Sequence, residues 1–180
     1  GRISNEVGLN CCKRQIILKV DATDGNILNS LSFEDGARLG GLGKLVASIG
    51  DPSGETYYHY CRYTQTPPTN DDFIISKLDG SGDLIWQKRF DDDNKDDEVN
   101  GILPLSNGRL LLFGIVDLQR NSCVLILNHL GEPSFSKSYS IPNTSAAIFR
   151  DITPFQNGYL VSGSLRFIGS SEFDQFYGFL

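Results

Sequence analysis

Phe73-Ile74-Ile75-Ser76-Lys77-Leu78-Asp79, closed by Gly80-Ser81-Gly82, is a segment that this chain writes four times. One earlier version is Ile16-Ile17-Leu18-Lys19-Val20-Asp21. A later one is Cys123-Val124-Leu125-Ile126-Leu127-Asn128, and a fourth starts at Asp174 and runs to Leu180. With Val20, Leu78, Leu127 and Leu180 taken as equivalent, the spacings are 58, 49 and 53 residues. A period near 50 restricts the fold to stacked or radial arrays of one supersecondary unit.

Each unit divides into four short segments. The first is apolar and β-prone and ends in tight-turn residues: Asp21-Ala22-Thr23-Asp24-Gly25, Asp79-Gly80-Ser81-Gly82, or Asn128-His129-Leu130-Gly131. The second alternates, as in Leu84, Trp86, Lys88 and Phe90, which reads as a strand with one buried face. The third covers residues 45–49, 99–105 or 149–155 and leads into Ser53-Gly54, Asn107-Gly108 or Asn157-Gly158. Asn-Gly between apolar runs predicts a hairpin with positive φ at both residues. The fourth covers 55–63, 109–116 or 159–167. The first unit adds a loop at 64–70 around Pro67-Pro68, which cannot donate ladder hydrogen bonds and is expected outside the sheet. Leu39-Gly40-Gly41-Leu42-Gly43 precedes an apolar run and lacks a following Lys-Ser/Thr, so it reads as a flexible linker and not a phosphate loop.

No segment has a capped 3.6-residue apolar period. The expected fold is all-β: three four-stranded antiparallel units, each a β-propeller blade, with a fourth begun, as part of a larger propeller. The expected divisions are a connecting segment at 1–12, a first blade with its loop insertion at 13–70, blades at 71–120 and 121–172, and the first strand of a further blade at 173–180. Neither end reads as a natural terminus, since no apolar signal region follows Gly1-Arg2-Ile3-Ser4 and the last segment reads as an unfinished unit. Further blades are expected from the same chain or from another subunit.

The stretch 72–90 carries an acidic residue, an aliphatic strand, Lys77-Leu78-Asp79, a glycine turn, Trp86, Lys88 and Phe90. It resembles the repeat of bacterial secreted and surface β-propeller proteins. Asp97-Glu98 before Val99, and Asn157-Gly158-Tyr159-Leu160-Val161, extend the likeness, which runs from about residue 13 to 180. The resemblance implies a blade and an extracellular or cell-envelope location in a bacterium. It implies no particular ligand, because folds of this kind host many functions.

Composition narrows the partners. Across 180 residues the net charge is -6 and the pI about 4.8, which argues against nucleic acid and anionic lipid surfaces. Apolar residues make up 39% with no run long enough for a membrane span. Protein, glycan and cation partners remain. Cys11, Cys12, Cys61 and Cys123 match no zinc spacing.

The run at 91–98 concentrates carboxylates, and Asp92, Asn94, Asp96 and Glu98 alternate so that their oxygens could wrap a calcium ion. The competing reading is a solvated connection between strands. Tyr57, Tyr58, His59, Tyr60 and Tyr63 form a dense patch in which alternation should expose one set. Tyr58, Tyr60, Pro67 and Pro68 are therefore candidate partner contacts, with Asp93 and Asp97 as a charged second group. His59 and His129 fall in different segments, and no nucleophile or metalloprotease motif is present. The expected function is a non-catalytic surface or secreted scaffold that binds a protein or glycan through blade loops. Two alternatives are a fragment of a carbohydrate-active enzyme with its active site in other blades, and an accessory subunit of an envelope complex.

Overall fold

A computed structural model describes residues 2–3, 14–33, 38–64, 71–90, 98–116 and 121–180. These form fourteen strands: β1 (Arg2–Ile3), β2 (Arg14–Val20), β3 (Ile27–Phe33), β4 (Arg38–Ala47), β5 (Thr56–Thr64), β6 (Asp71–Asp79), β7 (Leu84–Phe90), β8 (Glu98–Pro104), β9 (Leu110–Val116), β10 (Asn121–Leu127), β11 (Pro133–Tyr139), β12 (Thr144–Phe155), β13 (Gly158–Phe167) and β14 (Asp174–Phe179). Among the described residues there is no α-helix, only a short 3-10 turn at Ser106–Gly108, and hence no helix long and apolar enough to cross a membrane. The all-β expectation holds.

All pairing is antiparallel and follows chain order. Sheet 1 is β1-β2-β3, sheet 2 is β4-β5-β6-β7, sheet 3 is β8-β9-β10-β11 and sheet 4 is β12-β13-β14. This corrects the expected units. The sheets are cut half a repeat away from 13–70, 71–120 and 121–172, giving two four-stranded and two three-stranded sheets in place of three complete ones and a start. A tandem repeat carries no phase in its sequence. Hydrogen bonding sets the phase: β5 pairs with β6 without interruption from Thr56↔Asp79 to Thr64↔Asp71, whereas β4 pairs with β5 and not with β3. Residues 65–70 and 117–120 therefore join strands within a sheet, and 34–37 and 91–97 join one sheet to the next.

The sheets stack face on face. On β9, Leu110 and Leu112 pack with Tyr58, Tyr60, Phe73 and Ile75 of sheet 2. Their neighbours Leu111 and Phe113 pack with Phe149, Ile152 and Val161 of sheet 4. Sheet 3 is thus covered on both faces, which is why β9 reads as an unbroken apolar run. β8 lies beside β4, β5 and β6, and β12 lies beside β8, β9 and β10. The first strand of each of these sheets therefore sits against the first strands of the one before it. Ring pairs add to the packing, Phe73 and Phe90 stacked at 5.1 Å within sheet 2 and Tyr139 and Phe149 tilted at 5.4 Å between sheets 3 and 4.

Two expected turns separate on inspection. Asn107 (φ 61) and Gly108 (φ 67) both take positive φ, as Asn-Gly predicts. At the second Asn-Gly the positive residue is Gln156 (φ 52), and Phe155 pairs with Gly158. The loop is thus Gln156-Asn157, and Gly158 already belongs to β13. A Cβ on Gly158 would stand 2.5 Å from the Leu180 carbonyl oxygen, so close approach of the chain requires glycine there. The glycine-rich stretch expected as a linker is strand: Leu39 to Gly43 lie inside β4, which is bulged against β5 between Gly40 and Lys44.

Candidate functional site

Sheet 2 is covered on both faces, and this overturns the tyrosine expectation. Tyr58 is fully buried and Tyr60 nearly so, both in the layer between sheets 2 and 3. Their hydroxyls donate to the carbonyls of Gly108 (2.5 Å) and Asn100 (3.2 Å). Strand alternation sends these side chains toward sheet 3 and Tyr57 and His59 to the opposite face, so Tyr58 and Tyr60 are not free for a partner. Burial holds the His59 imidazole down at about pKa 4. Of the calcium candidates, Glu98 is exposed at the head of β8. Burial first, and then the Glu98 charge, push the Tyr60 phenol up. Asp92, Asn94 and Asp96 lie outside the described residues, as do Pro67, Pro68, Asp93 and Asp97. Among the described residues no group of three or more His, Cys, Asp or Glu side chains is arranged to hold a metal ion.

The junction between sheets 2 and 3 holds a polar clamp. Asp51, in the β4–β5 turn, and Lys77, on β6, form an ion pair at 2.7 Å with side chains 0% and 1% exposed. Lys77 Nζ also donates to the His129 carbonyl at 3.0 Å and lies over the Tyr58 ring at 5.9 Å. The Ser53 N–H donates to Asp51 Oδ1 at 2.8 Å. Burial pushes the Asp51 carboxyl up, but Lys77 and Ser53 outweigh it and hold the group below the ordinary carboxylate value. Burial and the Asp51 charge together push the Tyr58 phenol up. Gly108 of the β8–β9 turn sits against this carboxylate so closely that a Cβ would collide with Asp51 Oδ2. With Asp51, Lys77, Tyr58 and Gly108 buried and in mutual contact, the clamp joins two sheets. Nothing local in the sequence ties residue 51 to residues 77 and 129, so pattern reading missed it.

Part of this contact repeats one sheet earlier. Lys19 occupies in β2 the place of Lys77 in β6, and its Nζ donates to the carbonyl of Gly80. Gly80 in turn occupies in its turn the place of His129. The turns match in detail. Asp79 Oδ1 accepts the N–H groups of Ser81 and Asp83, and Asn128 Oδ1 accepts those of Leu130 and Glu132. Gly82 (φ 92) and Gly131 (φ 76) close the two turns.

The junctions differ in one filling residue. Trp86 is paired with Lys77, and its indole packs 2.7 Å from where a Cβ on Gly131 would stand and donates from Nε1 to the His129 carbonyl at 3.4 Å. The residue paired with Lys19 is Asn29. Its short amide donates to the Ser81 carbonyl at 2.8 Å and leaves a cleft of about 190 Å³ between sheets 1 and 2. Ile17, Leu31, Leu45, Tyr57 and Leu78 give this cleft apolar walls, and Lys19, Asn29, Gly80 and Gly82 form its edge. It is the leading candidate site on the described surface. A scan against protein-family models finds no match to the chain, and neither does a comparison with curated proteins.

Proposed function

We propose that the chain is part of a non-catalytic β-propeller scaffold, extracellular or on a bacterial cell envelope, that binds a protein or glycan through its connections. The observation that carries this reading is the meander of sheet 2. β5 and β7 both end beside the start of β6, so the connections 65–70 and 91–97 leave from one end of the sheet. These two connections hold Pro67, Pro68, Asp93 and Asp97. The clamp and the glycine turns occupy the opposite end, where they fix sheet to sheet. Structure and recognition are thereby separated, as expected of loops carried on a packed scaffold.

Ring closure draws support from the repeated lysine-to-turn contact, which relates sheet 1 to sheet 2 as sheet 2 is related to sheet 3. Further sheets draw support from the last sheet. Phe176 packs inward, while Tyr177 and Phe179, in alternation with it, are 73% exposed. The test is binding on a glycan array and to envelope extracts, using wild type, a variant with Asp92, Asp93, Asp96 and Asp97 changed to Asn, and a deletion of 65–70. Loss of binding in either variant, steeper at low salt for the charge variant, is expected. Unchanged binding in both would overturn the assignment of the contacts. Turnover of a bound glycan that is abolished by replacing one carboxylate would overturn the non-catalytic reading.

A further inference from the structure

We infer that the cleft between sheets 1 and 2 binds a small planar heteroaromatic molecule with a ring N–H, of which indole is the simplest example. The argument is internal to the fold. At the junction of sheets 2 and 3 the same position is filled by the Trp86 indole, which lies flat over Gly131 and leaves that glycine buried. At the junction of sheets 1 and 2 the counterpart Gly82 is only half-buried, and its nearest side-chain neighbour is the Asn29 amide at 3.5 Å from a built Cβ. The turn, the positive-φ glycine and the lysine-to-turn contact are kept, and the ring is not.

Size and polarity agree with that occupant. A dry apolar cavity of about 150 Å³ takes up benzene, and the 190 Å³ here leaves room for a second fused ring. Tyr57 and the aliphatic residues Ile17, Leu31 and Leu78 supply the faces against which a ring packs. The acceptor is also present. The His129 carbonyl receives both Lys77 Nζ and Trp86 Nε1, which uses the two lone pairs of a carbonyl oxygen. The Gly80 carbonyl receives Lys19 Nζ and, among the described residues, no indole, because Asn29 turns to Ser81 instead. A ring N–H placed as in Trp86 would complete it. Lys19 and Asn29 bridge to the turn of sheet 2 at the cleft's edge, and the volume of about 190 Å³ matches a fused ring system with nothing attached. The ligand is therefore a free small molecule and not the side chain of a docked polypeptide. The inference holds for a closed ring and an open stack of sheets alike.

The test is titration of isotopically labelled protein with indole, followed at the backbone amides of Leu31, Gly80 and Gly82. Saturable shifts at these amides are expected, with an affinity of about millimolar or tighter for a ligand of this size. Indene, which keeps the shape but lacks the N–H, should bind about threefold to tenfold more weakly, the loss expected for one hydrogen bond. Asn29→Trp should fill the cleft and abolish the shifts. The absence of saturable shifts, equal binding of indene and indole, or undiminished binding to a folded Asn29→Trp variant would each overturn the inference. Tighter binding of N-acetyl-tryptophanamide than of indole would overturn the assignment to a free small molecule. The indene comparison uses wild-type protein and so stands even if the tryptophan variant fails to fold.

Discussion

Replacing Lys77 by Met should turn the clamp from a joint into a fault, and should reverse the sign of its response to acid. Lys77 and Asp51 are 1% and 0% exposed and 2.7 Å apart. Removing the ammonium leaves a carboxylate buried against Gly108 without its cation, held by the Ser53 N–H and other neutral donors. Breaking a buried pair from one side costs about 3–5 kcal/mol, because the remaining charge is uncompensated. Met keeps the aliphatic stem, so little of that cost is packing. Adding Asp51→Asn removes the stranded charge at nearly constant shape, and the double variant should recover most of the loss. In wild type the Asp51 carboxyl lies below its ordinary value, so its contribution is present above the unfolded-state pKa and disappears as pH falls through the lower folded value. Without Lys77 the burial effect prevails and the folded pKa rises above the unfolded one. Acid then neutralises the stranded group, and the stability gap between Lys77→Met and wild type should narrow as pH falls from 7 toward 4. The assay is urea unfolding of wild type, both single variants and the double variant at several pH values. A cost below about 1 kcal/mol for Lys77→Met, or a double variant no more stable than Lys77→Met, would refute a charge-paired clamp.

His59 should make the protein acid-labile in a separate window. Its folded pKa of about 4 lies below the unfolded value of 6.5, so the unfolded chain takes up the proton first and stability falls as pH drops from 6.5 to 4. The full loss is about 3 kcal/mol at 1.36 kcal/mol per unit, and unfolding curves of His59→Leu should lack it. Gly108→Ala should cost about 2–4 kcal/mol, because its Cβ meets Asp51 and its φ is 67. Gly54→Ala, at φ 96 but facing open space, should cost only the backbone strain of about 1 kcal/mol, and thermal melts of the two separate these effects. Tyr58→Phe should cost about 1–2 kcal/mol by leaving the Gly108 carbonyl without its donor, and exchange of the Gly108 amide should quicken as the turn loosens.

Most of the strands and turns, and their recurrence, are legible in the sequence. Alternation in Leu84, Trp86, Lys88 and Phe90, the Asx-glycine turns after Leu78 and Leu127, and the Asn-Gly at Asn107 are local signals, and each is reproduced within a residue or two. Grouping of the strands into sheets was left to tertiary structure. A periodic sequence reads the same from any starting point, and only the hydrogen bonds between β5 and β6 and between β9 and β10 fix the cut. Burial of Tyr58 and Tyr60 was decided there too, since alternation names two faces but not whether a neighbouring sheet covers each. The same holds for the clamp and the cleft. Asp51, Lys77 and His129 meet because two sheets stack, and Trp86 and Asn29 differ in consequence only because each faces the turn of the next sheet. Short-range propensity is written along the chain, whereas contacts between layers depend on register and stacking that no local window contains.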